Sequence, residues 1–509
     1  MVKENNDNNK RIAKNTLFLY IRMLVVMGVT LYTVRVVLDV LGADDYGIYN
    51  VVGGVVTMFS FLTSTMVSAS QRFFAYSIGK QDDEGLARYF TMSFWCYLSI
   101  VIFLIIIAET LGVWFVNTQL IIPANRLNAA MWVFQFAIAS FVMNLLSVPF
   151  NSIIIAREKM NIYAIVGLVE VLSKLLLTYC ITNIHFDKLE VYAVLMFVLT
   201  FSISMFYGIL GVWKFKECRI RMCWYPEIFK EIMGYSGWSL FGALSGVFRS
   251  QGINILLNIY FNPIVNAARA IAYQINSAIN QFVLNFFKAV QPQITKYYAA
   301  SEMQELHKLI YRSSRYCFFL ILLLSLPLLF EMPFILKIWL KEVPEYTVLF
   351  SRLVILIAII DSTAYPLQTA ITATGRIKKF QIVTGGLLIM NLPLSWFFLK
   401  LGFPPEVTMY VAMGIAVIAQ VSRIVFSNKQ VGMSLRSYYS YVLICMVKVC
   451  LPMVLLGVFI HLIFSGTTLG AFISMALIVF VSLIIIVIVG MTTNERLMLK
   501  NVIIKKIKR

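Results

Sequence analysis

The stretch NTLFLYIRMLVVMGVTLYTVRVVLD, from Asn15 to Asp39, is long and apolar enough to cross the roughly 30 Å hydrocarbon core of a bilayer as one helix. It nevertheless carries two arginines, Arg22 and Arg35. A charge placed in hydrocarbon is costly, so intramembrane arginines usually face a partner or a water-filled cavity. The stretch therefore predicts a membrane-spanning helix whose cations serve a purpose inside the protein.

The composition extends this prediction to the whole chain. Hydrophobic residues make up 60% and charged residues 13% of the sequence, and apolar runs of span length recur from end to end. We expect an all-α polytopic membrane protein. The net charge of +19 would suggest nucleic acid in a soluble protein, but here a positive-inside bias explains it, and we expect no nucleic-acid partner. The seven cysteines form no disulfide or zinc-binding pattern, so no metal is expected.

Hydrophobic runs predict fourteen spans, with both termini on the same side of the membrane. They are expected near residues 15–40, 46–70, 89–111, 128–150, 161–183, 190–213, 231–260, 264–290, 311–330, 346–372, 380–400, 405–427, 441–463 and 468–491. Of the 43 Lys and Arg residues, 31 fall in the termini, in alternate connections or near the span ends beside them, whereas five fall in or directly beside the opposite connections. This asymmetry predicts that both termini of the multi-pass protein are cytoplasmic.

Charged residues inside the spans are the first candidates for function. The basic ones are Arg22, Arg35, Lys174, Arg249, Arg269, Arg352 and Lys448, and the acidic ones, within or at the rims, are Asp39, Glu109, Glu170 and Asp361. Glu170 and Lys174 are four residues apart and could pair on one helix face, as could Arg35 and Asp39. Arg22 could also snorkel to the inner interface.

Arg249 and Arg269 lie deeper and have no acidic neighbour at helical spacing. Arg269 belongs to an unusually polar eighth span, which must line water or pack against polar neighbours. One face of that span carries Asn266, Arg269, Tyr273, Asn276, Ser277 and Asn280, and a second stripe carries Gln274, Gln281, Asn285 and Lys288. These residues predict a polar cavity.

A faint repeat suggests two halves of the same topology. LDVLGADDYGIYNVV, from Leu38, aligns loosely with LNIYFNPIVNAARAI, from Leu257. The segments LGADDYGIYNVVGG and SASQRFFAYSIGK, together with the opening helix, resemble the N-terminal half of Wzx-type O-antigen and capsule flippases of the multidrug/oligosaccharidyl-lipid/polysaccharide (MOP) superfamily. The resemblance covers roughly the first 430 residues. It implies an alternating-access, MATE-like fold with an N-lobe at 1–213 and a C-lobe at 214–430, followed by two further helices and a basic tail at 431–509.

The resemblance also implies a substrate, undecaprenyl-pyrophosphate-linked oligosaccharide, moved from the cytoplasmic to the periplasmic leaflet for lipopolysaccharide or capsule assembly. Polysaccharide polymerase and assembly proteins would be partners of a monomeric, non-enzymatic flippase in contact with membrane lipids. Arginine grips phosphate oxygens in a bidentate fork. We therefore expect Arg22, Arg249 and Arg269 to bind the pyrophosphate, and the amide and phenol groups of the eighth span to bind sugar. The latter are Asn266, Tyr273, Asn276, Asn280, Gln274 and Gln281.

Two alternatives stay open at this stage. A MATE-type, cation-coupled multidrug exporter shares the two-lobe plan, although cationic drugs favour acidic cavities. A membrane glycosyltransferase or O-antigen polymerase would need an acidic pair such as Asp44 and Asp45, but no outer connection is long enough for a catalytic domain. No cofactor is expected, and the absence of a Walker loop argues against ATP hydrolysis by this chain. Asp39, Glu170 and Asp361 are the candidates for coupling to Na⁺ or H⁺.

Overall fold

The computed structural model describes residues 2–57, 59–118, 122–183, 185–261, 263–340, 343–464, 467–493 and 495–497. Inside these ranges it leaves out the side chains of residues 2–10, 13, 31, 34, 35, 38, 43, 44, 47, 50, 51, 54, 55, 57, 60–62, 124, 183, 251, 258 and 263. The expected ion pair between Arg35 and Asp39 therefore falls outside the described residues, as does most of the basic tail.

Lipid offers no hydrogen-bond partner to the peptide group, so a spanning segment must satisfy its own backbone, and a helix does so. The described part of the chain is accordingly built from helices and contains no strand. The first half comprises α1 (Val2–Thr57), α2 (Ser60–Gly79), α3 (Asp83–Thr118), α4 (Leu127–Ala156), α5 (Met160–Cys180), α6 (Lys188–Lys214) and α7 (Pro226–Tyr260).

The second half continues with helices of similar length and two short ones. They are α8 (Pro263–Ala299), α9 (Met303–Phe330), α10 (Met332–Trp339), α11 (Thr347–Asp361), α12 (Ala364–Ala373), α13 (Lys378–Lys400), α14 (Val407–Val431), α15 (Leu435–Phe464) and α16 (Thr468–Gly490). Helices therefore occupy each of the fourteen expected span positions, and the expected all-α polytopic membrane class is confirmed.

Length and hydropathy support the membrane assignment directly. Among the described residues, nine helices are long and apolar enough to cross a membrane, and the bent pair α11–α12 would make a tenth. The nine are α3, α4, α5, α6, α9, α13, α14, α15 and α16. The remaining expected spans lie on α1, α2, α7 and α8, which include the charged first helix and the polar eighth span.

Breaks in the helices separate the spans. Within α1, Gly42 has φ 80° and ψ 170°, a conformation that glycine adopts without a Cβ penalty, and the break divides the first expected span from the second. Gly28, between Arg22 and Arg35 in the first span, is helical. The α11–α12 pair bends by 41° around Ser362 and Thr363.

Two compact units make up the structure. The first contains the described residues up to Leu240 together with Thr295–Ala300. Inside it, α4 packs along α6 and α1 packs along α5. An apolar cluster inside it includes Ala130, Val133 and Phe134 of α4, which are at most 1% exposed.

The second unit contains Phe241–Ile294 and the described residues from Ser301 onward. Its cluster around α9 includes Leu322, Val449 and Ile478, so the last two helices pack on α9. The expected lobe boundaries, 1–213, 214–430 and 431–509, stay predictions.

Polar contacts also join the last two helices to α9. Glu331, directly after α9, is 5% exposed, and its Oε1 lies 2.7 Å from His461 Nδ1 of α15 and accepts a 2.8 Å hydrogen bond from Ser474 Oγ of α16. Near the middle of α9, Arg315 Nη1 donates to the carbonyl oxygen of Gly490 at the end of α16 at 3.3 Å, and Nη2 donates to Glu495 at 3.0 Å. Polar contacts therefore join α16 to α9 at two levels and α15 to the C-terminal end of α9.

Candidate functional site

A polar cavity of about 650 Å³ lies inside the first unit. Helices α1, α4, α5 and α6 form most of its wall, and its lining mixes apolar residues with charged, hydroxyl and amide side chains. The polar lining residues are Arg22, Thr30, Tyr49, Ser140, Asn144, Glu170, Lys174 and Thr200. Its volume falls within the range of small-molecule binding sites.

Arg22 is the most constrained of the charged residues in this cavity. Its guanidinium carbon lies 4.4 Å from the ring centroid of Tyr163, a cation–π distance, and its side chain runs directly across Gly167. Gly167 has no Cβ, which is what allows this close approach. Arg22 Nε is buried and has no hydrogen-bond partner among the described residues. The sequence prediction that Arg22 faces a cavity is therefore matched by its position in the structure.

Glu170 and Lys174 share this cavity with Arg22. Glu170 is close enough to interact electrostatically with both cations, yet no ion pair within 4.0 Å joins it to either among the described residues. The intrahelical pair that the spacing of Glu170 and Lys174 suggested is thus absent here. Both side chains line the cavity, and the three charges sum to one net positive charge.

In the second unit, Arg269 is deeply buried, with 4% of its surface exposed. Its Nη1 donates to Asn254 Oδ1, and its guanidinium carbon lies 4.4 Å from the ring centroid of Tyr273, one turn along α8. Arg269 Nε is buried and has no partner among the described residues. Arg249 of α7 is half-buried and acts electrostatically on Arg269. The two second-unit arginines are thus close enough to interact electrostatically, and their assignment to pyrophosphate binding stays a prediction.

The amide residues of α8 have mixed surroundings. Asn280 Nδ2 donates to Asn276 Oδ1 at 2.7 Å, so these two residues share one face, as the sequence pattern predicts. Asn266 Oδ1 is buried and without a partner among the described residues, whereas Gln274 and Gln281 are exposed. The assignment of these residues and of Tyr273 to sugar binding stays a prediction.

The three candidates for ion coupling are in different environments. Asp39 is exposed on α1. Asp361, at the end of α11, pairs with Arg423 of α14 at 3.1 Å, so its charge has a structural partner. Glu170 alone of the three lines the polar cavity.

One charged cluster was not anticipated from the sequence. Arg126, before α4, binds both Asp45 and Asp187, the N-cap residue of α6. Burial alone would raise the pKa of Asp187, but hydrogen bonds from Arg126 and from the backbone N–H groups of Glu190 and Leu189 outweigh burial and lower it below its ordinary value. Arg126 stands in a connection that is otherwise poor in cations, and this was the available signal. The cluster gives Asp45 a structural role.

The helices and their hydropathy define a class, an all-α multi-pass membrane protein. Neither a protein-family model nor a curated protein matches the sequence. Solved structures do match. A MATE protein in complex with MaD3S superposes with a TM-score of 0.71 at 14% identity, covering 82% of this chain and 96% of that one.

Two further solved structures have the same fold. An outward-facing multidrug resistance MATE family transporter of the MOP superfamily has a TM-score of 0.69 at 14% identity and covers 83% of this chain and 96% of its own. A MOP superfamily transporter from Pyrococcus furiosus Vc1, for which reverse polarity of the binding pocket suggests a different function, has a TM-score of 0.69 at 13% identity, with 83% and 96% covered. These likenesses establish the MATE-like fold of the chain.

Proposed function

We propose that the protein is a Wzx-type flippase that moves undecaprenyl-pyrophosphate-linked oligosaccharide from the cytoplasmic to the periplasmic leaflet by alternating access. The observation that carries the proposal is the position of Arg22 in the first-unit cavity, with a buried Nε–H that no described side chain accepts. A buried, unsatisfied donor costs roughly 1–3 kcal/mol, more for a charged group, and a phosphate oxygen is a strong acceptor for it.

The remainder of the cavity suits the sugar part of such a substrate. Ser140 and Thr200 bond the carbonyl groups of their own helices through their hydroxyls, at 2.7 and 2.9 Å, and these oxygens keep acceptor capacity for a ligand. Asn144 adds an exposed amide to the same wall. In the second unit, the arginine pair Arg249 and Arg269 is the additional anion-binding candidate, and Asn276 and Asn280 offer amide groups.

The charge balance favours this substrate over a cationic drug. The cavity holds two cations and one acid, so its field attracts an anion such as pyrophosphate, which carries about two negative charges. A MATE-type multidrug exporter remains the second candidate, and Glu170 is the observation in its favour, because it is an acid in the cavity with no ion pair among the described residues. A glycosyltransferase or polymerase is disfavoured, since Arg126 already binds Asp45.

Glu170 is also our candidate for coupling transport to an ion gradient. A carboxylate that shares a cavity with a substrate-binding arginine can bind Na⁺ or H⁺ in competition with the attraction of Arg22 and Lys174. Glu170→Gln should therefore uncouple transport from the ion gradient while leaving substrate binding in place. We place the protein as a monomer in the bacterial inner membrane, beside the polymerase and assembly proteins of surface polysaccharide synthesis.

Reconstitution into liposomes tests the proposal. Wild-type protein should translocate a fluorescent undecaprenyl-pyrophosphate-linked sugar. Arg22→Ala should reduce the rate about 10- to 100-fold, the equivalent of a charge-assisted hydrogen bond of roughly 1.5–3 kcal/mol. The Arg22→Lys variant should lose less of the translocation rate, because lysine keeps the positive charge but cannot form the bidentate hydrogen bonds of a guanidinium group to phosphate.

Arg88→Ala is the matched control, because Arg88 is exposed, lies outside the cavity lining and forms its ion pair with Glu84 of the same helix. It should transport like wild type. Ethidium efflux in place of lipid translocation would assign the chain to the multidrug alternative, and full activity of Arg22→Ala at normal abundance would refute the anion site.

A further inference from the structure

A second, apolar groove lies next to the charged cavity in the first unit. It encloses about 380 Å³ between α3 and α4, and Val56 and Phe59 complete its lining. Leu104, Ala108 and Ile138 form its floor and are at most 8% exposed, whereas Leu111 stands at its opening with 63% of its surface exposed. None of its lining residues carries a charge.

The groove and the polar cavity share walls. Val56 and Phe141 line both, so a ligand in the cavity lies within one side chain of the groove. One neighbouring space thus carries Arg22 and Lys174, and the other offers only hydrocarbon contacts. That combination matches an amphiphile with an anionic head group and an apolar chain.

A turn of π-helix lies along the groove. It comprises Ala108–Gly112 of α3, and Ala108, Leu111 and Gly112 of this turn line the groove. Glu109 in the same turn is exposed and accepts a 3.1 Å hydrogen bond from Gln135 Nε2 of α4. The carboxylate of Glu109 beside the groove repels an anionic head group. The apolar chain of the ligand is therefore the part that fits in the groove.

We propose that this groove binds the isoprenoid chain next to the pyrophosphate of the lipid-linked substrate, an inference that rests on the function proposed above. A cavity of about 150 Å³ holds one benzene molecule, so the 380 Å³ of this groove corresponds to about 15 carbons, or three isoprene units. The rest of a long polyprenyl chain stays in the bilayer. The groove then fixes the head-group end of the lipid beside Arg22.

The lipid surroundings limit the size of the effect. Hydrocarbon chains gain no hydrophobic free energy on moving from lipid into an apolar groove, so the gain comes from packing and from the anchored head group. We expect a modest preference of about tenfold, which corresponds to about 1.4 kcal/mol.

A chain-length series of isoprenoid pyrophosphates tests the groove in the purified full-length protein. Binding of isopentenyl, geranyl, farnesyl and geranylgeranyl pyrophosphate, with 5, 10, 15 and 20 carbons, would be measured by calorimetry in detergent. Affinity should rise about tenfold from the first to the third and then level off, because the groove holds about 15 carbons.

Leu111→Trp fills the opening and should remove the chain-length preference while binding isopentenyl pyrophosphate like wild type. Ile106→Trp is the matched control, because Ile106 is on the same helix and 57% exposed but does not line the groove. Val142→Phe, from the α4 wall, provides a second blocking variant if Leu111→Trp is poorly folded.

Each outcome decides something. Loss of the preference in both blocking variants, with Ile106→Trp unchanged, would support the groove. The groove proposal would be overturned if the chain-length preference survived in both blocking variants, or if Ile106→Trp also removed it. Either result would leave the flippase proposal intact. If no pyrophosphate bound to the wild type, or if Arg22→Ala bound all four as the wild type does, the proposed function would fail and the groove with it.

Discussion

Gly167→Ala is the sharpest perturbation that the structure offers, because it moves Arg22 without changing any charge. A Cβ at position 167 would lie 2.8 Å from the guanidinium carbon of Arg22 and closer still to its Nε. Ordinary contacts between such atoms begin at about 3.5 Å, so the guanidinium must shift by at least about 0.7 Å. The side chain is flexible at that end and can move without disturbing the backbone.

The magnitude follows from how strongly positioning matters in a binding site. A misplacement of about 1 Å can lower activity on the order of 100-fold. We therefore expect Gly167→Ala to reduce translocation about 10- to 100-fold. Fold stability should not fall, because alanine is favoured over glycine in a helix interior by roughly 1 kcal/mol.

The assay is translocation of the lipid-linked probe in liposomes, with membrane abundance and thermal stability measured in parallel. Gly208→Ala is the control, because Gly208 is on α6 of the same unit and a Cβ there would meet no atom within 4 Å. It should behave like wild type. Unchanged transport by Gly167→Ala would refute the reasoning that the position of the Arg22 guanidinium sets activity. An equal loss of transport in Gly208→Ala would show that replacing a glycine, and not moving Arg22, causes the loss.

Three further predictions concern the pH response, the second unit and the topology. Because the pKa of Asp187 is lowered in the folded protein, its contribution to stability is present at neutral pH and is lost as the pH falls below the ordinary aspartate range towards that lowered value. The Asp187→Asn variant should accordingly melt at a lower temperature than wild type at neutral pH, and this difference should shrink below about pH 4. A difference that grows on acidification would contradict the predicted direction. Arg423→Ala should lower the free energy of unfolding by about 2 kcal/mol. Adding Asp361→Asn should lower it little further, because the two residues pair with each other. Loss of transport by Asp361→Asn alone at full stability would instead identify Asp361 as the coupling acid. A reporter fused after Arg509 should be active only in the cytoplasm, and periplasmic activity would overturn the positive-inside topology.

The bilayer made the helices predictable from the sequence. Its thickness fixes the length of a span, and lipid allows no unsatisfied backbone, so apolar runs translate directly into helices. Arg22 was predictable for a related reason, since a cation in such a helix requires a partner or a cavity. Local breaks were harder to place. The break at Gly42 lies in the connection expected between residues 40 and 46, whereas the bend after Asp361 lies inside the single span expected at 346–372, where Pro366 in the first turn of α12 was the available signal.

Side-chain partners were less predictable, because they depend on which helices pack together. The four-residue spacing of Glu170 and Lys174 suggested an intrahelical pair, but both side chains line a cavity that α1, α4 and α6 complete. Likewise, nothing in the sequence distinguishes Gly167 from other small residues, because its role depends on the packing of α1, which brings Arg22 against it. The groove between α3 and α4 is lined in part by a π-helical turn at Ala108–Gly112, which the sequence does not reveal.

The way Glu331 is held also has a consequence for biosynthesis. Its partners His461 and Ser474 lie 130 and 143 residues further along the chain. At roughly 5–20 residues per second, the ribosome needs about 7–30 s to reach them after it has made Glu331. A newly inserted α9 therefore carries an acidic side chain through that interval with neither partner yet synthesised. The pace of translation and the arrival of α15 and α16 are thus part of how this protein acquires its structure.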